Sequence, residues 1–169
     1  MKYLCSICGK EHEEWPAIAW TSPTSYNELT DVEKNTCGEL SEDYCIIRYP
    51  DQTDYFIRAV LIQDVTDNCQ NLDYGVWVSL SEKSFEDYRQ RHNTHEDREA
   101  TYFGYLNTIP PEYDFINGIK TNVVVSNGIN RPEVIPHQSD QDQIPFIQDY
   151  FNGITTQEAL NRIKQFDSK

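Results

Sequence analysis

The sequence predicts an α+β fold, a mostly antiparallel sheet with flanking helices, and three observations carry that expectation. Between Asp43 and Leu80, β-rich runs are separated by turn-forming residues. Asn127-Gly128 stands between two further β-rich runs, and both residues tolerate the positive φ of a tight hairpin. Residues 81–92 and 155–166 instead repeat their apolar side chains at helical spacing.

Taken in order, residues 2–4 form a short strand entering Cys5-Ser6-Ile7-Cys8-Gly9-Lys10-Glu11-His12, which leads to Trp15-Pro16-Ala17-Ile18-Ala19-Trp20. Residues 22–26 turn around Pro23, 26–35 form a short acidic helix, and 37–43 are a loop. Strands follow at 44–49, 54–62 and 74–80; Pro50-Asp51-Gln52-Thr53 and Thr66-Asp67-Asn68 have turn composition, so the three make an antiparallel meander. Its apolar face needs cover, which residues 81–92 supply: Ser81 can cap a helix whose Phe85, Tyr88 and Arg89 share a face.

Residues 101–106 are aromatic and pack on the sheet, and Pro110-Pro111 breaks the chain before a hairpin of 120–126 and 131–135. Pro132 puts the second arm at an edge or a bulge. The tail, about 141–166, forms two helices parted at Asn152-Gly153. Thr155-Thr156-Gln157-Glu158 is a capping box for the second, and Ala159, Leu160, Ile163 and Phe166 are its apolar face. No repeat or linker divides the chain, so residues 1–169 are expected to form a single domain.

With 38% hydrophobic and 12% aromatic residues, 169 residues can bury an adequate core. The start has no apolar segment fit for secretion and no stretch fit for crossing a bilayer, which predicts a cytoplasmic protein. Five cysteines without an export signal favour metal ligation and free thiols over disulfides. The 28 acidic and 14 basic side chains leave a formal charge of −14, spread along the chain. Such a surface repels phosphate backbones, so no nucleic acid and no membrane is expected as a partner. A basic protein partner fits the charge, as a toxin-neutralising immunity protein would require.

Chemistry concentrates at the start. Cys5 and Cys8 have the two-residue separation by which a tight turn wraps thiolates around a tetrahedral zinc ion; Gly9 permits the turn and His12 is near enough to be a third ligand. No thioredoxin-like βαβ context makes the pair a redox motif. A fourth ligand would make the site structural, and an open position would make it hydrolytic. Cys37 and Cys45 are the nearest candidates and Cys69 a weaker third. His92 and His95 could hold a second metal, but charged surface helices carry such pairs by chance. His137 has no obvious partner. Arg58, in an apolar strand, either faces solvent or is buried with a carboxylate, and alternation favours solvent. No phosphate loop, nucleophile elbow or His-Glu-x-x-His helix occurs, so no catalytic residue is assigned.

Several patterns together resemble the bacterial family known as domain of unknown function 2199: Tyr3-x-Cys5-x-x-Cys8-Gly9-x-x-His12 with Pro16, Asp43-x-Cys45-Ile46-Ile47, Tyr55-Phe56-Ile57-Arg58, Tyr74-Gly75-Val76-Trp77-Val78-Ser79-Leu80, and Phe151-Asn152-Gly153-Ile154-Thr155. The resemblance implies Cys45 as the remaining ligand beside Cys5, Cys8 and His12, and gives weight to Arg58 and Trp77. It implies no particular reaction. Ile144-Pro145-Phe146 departs from what resembles a His-Pro-Leu step in that family.

Overall fold

Alternation along residues 53–63 builds the longest strand, with Ile57, Ala59, Leu61 and Gln63 fully buried on one face and Phe56 and Arg58 on the other. The computed structural model describes residues 2–6, 8–94, 98–108, 110, 113, 118–126, 130–138 and 143–167. Among these, the strands are β1 (Lys2–Leu4), β2 (Glu11–Glu13), β3 (Ile18–Ala19), β4 (Gly38–Leu40), β5 (Tyr44–Arg48), β6 (Thr53–Gln63), β7 (Leu72–Leu80), β8 (Ala100–Leu106), β9 (Ile119–Val125) and β10 (Glu133–Pro136). The helices are α1 (Thr24–Asn27), α2 (Asp31–Thr36), α3 (Glu82–Thr94), α4 (Pro145–Asn152) and α5 (Thr156–Asp167).

The α+β class and sheet-rich core hold, but the expected mostly antiparallel sheet fits only in part, since it closes on itself and two of its pairings are parallel. β6 pairs with β7 from Tyr55↔Leu80 to Gln63↔Leu72, β7 with β8, β8 with β9, and β9 with β10, all antiparallel; β10 then returns to β6 in parallel at Glu133↔Val60. Five strands thus close into a barrel. β5 and β4 extend it from the other half of β6, and β3 adds in parallel to β7. Separately, β1 and β2 form an antiparallel hairpin.

The barrel is filled by Ile57, Ala59 and Leu61 of β6, Tyr74, Val76 and Val78 of β7, Ile119 and Val123 of β9, and Val134 of β10. Closure demands one close approach. A Cβ on Gly104 would stand 2.6 Å from both Ser79 O and Val78 Cγ1, and opposite it Thr121 Oγ1 donates to Gly104 O at 3.1 Å. A second cluster, Leu29, Cys45, Ile47, Phe56 and Trp77, lies under α1 and α2 on the outer face.

Local chemistry explains several departures from the expected boundaries. The acidic helix is split, because Thr30 restarts it as an N-cap in a full capping box with Glu33. Residues 38–40, expected as loop, pair with β5. On α3 the buried face is Phe85, Tyr88 and Arg91, not Arg89. Asp87 neutralises Arg91 at 2.8 Å and also accepts from Tyr102 at 2.7 Å, whereas Arg89 stays outside with Glu86. Helix α4 begins at Pro145; Gln141, Asp142 and the expected Asn127-Gly128 turn lie outside the described residues.

The C-terminal helices dock through polar groups as well as Phe146, Ile147, Ala159 and Ile163. Buried Arg162 donates to Glu158, Tyr74, Tyr113 and Asp149, with Tyr113 donating in turn to Asp149. Only half of the expected capping box forms. Glu158 N donates to Thr155 Oγ1 at 3.2 Å, but the Glu158 carboxylate is engaged with Arg162, and the next helix donor, Thr156 N, is taken at 2.6 Å by Asp67 from the β6–β7 loop.

Those hydrogen bonds from the Thr156 backbone and hydroxyl hold the Asp67 carboxyl below its ordinary value of 3.8. A carboxylate depressed in the folded state contributes stability that is present above its unfolded pKa and lost as pH falls through the lower folded one. Asp67→Asn should therefore lower the thermal midpoint at pH 7, and its difference from the wild type should shrink below about pH 4. A difference that stays constant down to pH 2 would contradict this role.

Candidate metal centre

The hairpin of β1 and β2 is closed by the turn that the Cys-x-x-Cys-Gly sequence requires. Cys5 N donates to Lys10 O at 2.8 Å, and Gly9 N returns to Cys5 O at 2.9 Å. Gly9 has φ +70°, where an L side chain is strained, although nothing lies within 4 Å of the place its Cβ would take. The glycine is there for backbone conformation and not for space. Pairing of Leu4 with Glu11 and Tyr3 with His12 then brings the imidazole back beside the thiols. His12 Nε2 lies 3.1 Å from Cys8 Sγ.

The fourth member comes from the β6–β7 loop. Asn68 Oδ1 accepts from Cys69 N at 2.8 Å and Gln70 N at 3.2 Å, an Asx turn that fixes where Cys69 points. Gln70 Nε2 donates to Glu13 O at 3.2 Å and so fastens this loop to β2. One ligand atom from each of Cys5, Cys8, His12 and Cys69 lies within 4.8 Å of the others, close enough to bind a metal ion. Zinc–sulfur bonds of about 2.3 Å in a tetrahedron put sulfur atoms roughly 3.8 Å apart, so small side-chain movements would suffice. Cys5 is buried at 4% exposure, whereas Cys8 is exposed. Hydrogen bonding to Cys8, then burial and the contact with Cys5, push the Cys69 thiol up to about 11. Crowded thiols resist losing their protons one beside another, a cost that a bound cation removes.

Cys5, Cys8 and His12 thus stand together as expected, but Cys45 does not join them. It lies within β5, opposite Phe56, fully buried among Leu29, Ile47, Phe56 and Trp77. Burial pushes its thiol up to about 12. Cys37 ends α2, where its thiol meets Glu33 O at 3.1 Å. The sequence carried a usable signal for Cys69: it sits in a turn beside Asn68, where a side chain can be aimed, while Cys45 alternates within an apolar strand. His92 stacks on Tyr88 and lies 4.0 Å from Asp43; His95 falls outside the described residues. His137 meets Asn122 Oδ1 at 2.8 Å and packs against Phe103.

These placements predict an order of thiol reactivity. In chelator-treated native protein a polar thiol reagent should label Cys8 first and reach Cys45 only on unfolding, as mapped by peptide mass spectrometry. Labelling of Cys45 as fast as Cys8 would contradict the buried placement.

No helix among the described residues is long and apolar enough to cross a membrane. No curated protein and no solved structure matches the chain. The family model DUF2199, described as an uncharacterized protein conserved in bacteria, matches residues 4–154. That span covers most of the sequence and both halves of the cysteine–histidine cluster, and the chain belongs to the DUF2199 family.

Proposed function

We propose that Cys5, Cys8, His12 and Cys69 hold one zinc ion whose role is structural, pinning the N-terminal hairpin to the β6–β7 loop. The observation that carries this reading is the convergence of four donor atoms within 4.8 Å from two segments distant in sequence. Three sulfurs and one imidazole nitrogen suit zinc among the divalent metals, since soft thiolates select against calcium and magnesium. Four side chains fill a tetrahedron and leave no position for an activated water, which favours a structural over a hydrolytic use. The acidic surface separates this knuckle from those that bind nucleic acid.

Structural zinc contributes about 10 kcal/mol or more of apparent binding energy in small zinc-dependent peptides. Here the barrel has its own core, so metal loss should free the hairpin and lower the melting temperature by about 10 °C, the shift that roughly 3–4 kcal/mol gives in a domain of this size. Elemental analysis should find one zinc per chain, and re-adding zinc to chelated, reduced protein should restore the midpoint. Cys69→Ser should lose the metal, while Cys45→Ser should retain it even if less stable. Zinc-free protein with a midpoint indifferent to chelation, or zinc lost from Cys45→Ser and kept by Cys69→Ser, would overturn the proposal.

A further inference from the structure

One edge of β6 is shared by two partners that diverge. β5 pairs with Thr53 to Ile57, and β10 takes over at Val60, whose N–H donates to Pro132 O at 2.8 Å. Arg58 stands at the junction, its N–H donating to Asp43 O at 2.9 Å and its cross-strand neighbour being Trp77. Its Nε is sealed from solvent and has no acceptor. Among the described residues the rest of the guanidinium likewise has no hydrogen-bond or ion-pair partner. Trp77 offers only a donor, already given to Trp20 O at 3.0 Å. On the neighbouring strand Nη2 stands 3.7 Å from where a Cβ on Gly75 would lie, a place bounded on its other side by the Ala19 Cβ at 2.8 Å.

The nearest acid is already engaged. Asp43 accepts from Arg131 Nη2 at 3.1 Å and Nε at 3.3 Å, with His92 at 4.0 Å. Burial and the charge of Arg131 lower the Arg58 pKa despite Asp43 and Glu42, so positive charge at this junction lacks full compensation. An unmatched guanidinium is expensive even when half-buried, and here it persists on a chain of net charge −14 that has acids to spare.

We propose that Arg58, with Arg131 beside it, is a binding site for the carboxylate of a small ligand. A carboxylate matches the outer end of the guanidinium fork in two parallel hydrogen bonds, from Nη1 and Nη2, and supplies the missing countercharge. One negative charge offsets the one uncompensated cation; a phosphate dianion would meet added repulsion from Asp43, Glu42 and the acidic surface. The site draws on none of the metal-centre residues.

The test is titration of the isotope-labelled, zinc-replete protein with sodium acetate at constant ionic strength, following the Arg58 Nε–Hε resonance. A saturable shift with a midpoint on the order of 10 mM is expected. Arg58→Gln should weaken binding at least tenfold, read on neighbouring Trp77 signals, and Arg131→Gln several-fold. Arg58→Lys, which keeps the charge without the fork, should weaken it at least fivefold and covers a failure of the glutamine variant to fold. Acetamide, of the same shape and uncharged, should give no saturable shift. A drift no different from that given by sodium chloride, equal midpoints in wild type and Arg58→Lys, saturation by acetamide, or tighter binding of inorganic phosphate than of acetate would each overturn the assignment.

Discussion

The antiparallel register of β6 with β7, running unbroken from Tyr55↔Leu80 to Gln63↔Leu72, places residues 64–71 at one end of the barrel, and both ends of the chain are fastened there. Val65 bridges Ile154, Asp67 caps α5 through Thr156, and Asn68 donates to the Thr156 hydroxyl. On the other side Gln70 holds the Glu13 carbonyl and Cys69 meets Cys5, Cys8 and His12. The hairpin of β1 and β2 is too short to stand alone, since an isolated two-stranded ribbon is marginal in water. Its position depends on this loop, and a metal between them would turn weak polar tethering into a strong cross-link.

The barrel answers a different constraint. An eight-stranded arrangement with open edges would offer long rows of unpaired backbone groups, and closure through β10 and β6 removes the edges from its centre. Closure also costs space: β8 must pass close enough to β7 that only a glycine fits at position 104. Where β5 and β10 part along the shared edge of β6, Arg58 stands between them, its N–H taken by Asp43 O just before β5 and that of Val60 by Pro132 O just before β10. The candidate metal centre and the arginine junction therefore arise from the end and the middle of the same pair of strands.

Much of this was readable from residue order. Alternation located β6 and β7, the β-rich runs on either side of Asn127-Gly128 became β9 and β10, and helical spacing located α3 and α5. The knuckle's turn followed from Gly9, and the grouping of Cys5, Cys8 and His12 from spacing alone. Ring closure was not readable, because it rests on a parallel contact between Val60 and Glu133, which no local pattern encodes. The burial of Arg91 in place of Arg89 depended on Asp87 and Tyr102 converging from two elements. Cys69 was legible only in part for a similar reason: its place in a turn marks it as a candidate, but settling on it over Cys45 requires knowing that the β6–β7 loop and the N-terminal hairpin meet in space. A cysteine inside an apolar strand is held by packing, whereas a cysteine in an Asx turn is free to be aimed.

The central claim is a closed site of three sulfurs and one nitrogen contributed by hairpin and loop. X-ray absorption at the zinc edge counts those atoms directly. The account predicts a shell of three sulfurs near 2.3 Å and one nitrogen near 2.0 Å, falling to two sulfurs in any zinc that Cys69→Ser retains. A wild-type shell of two sulfurs with two light atoms would contradict it.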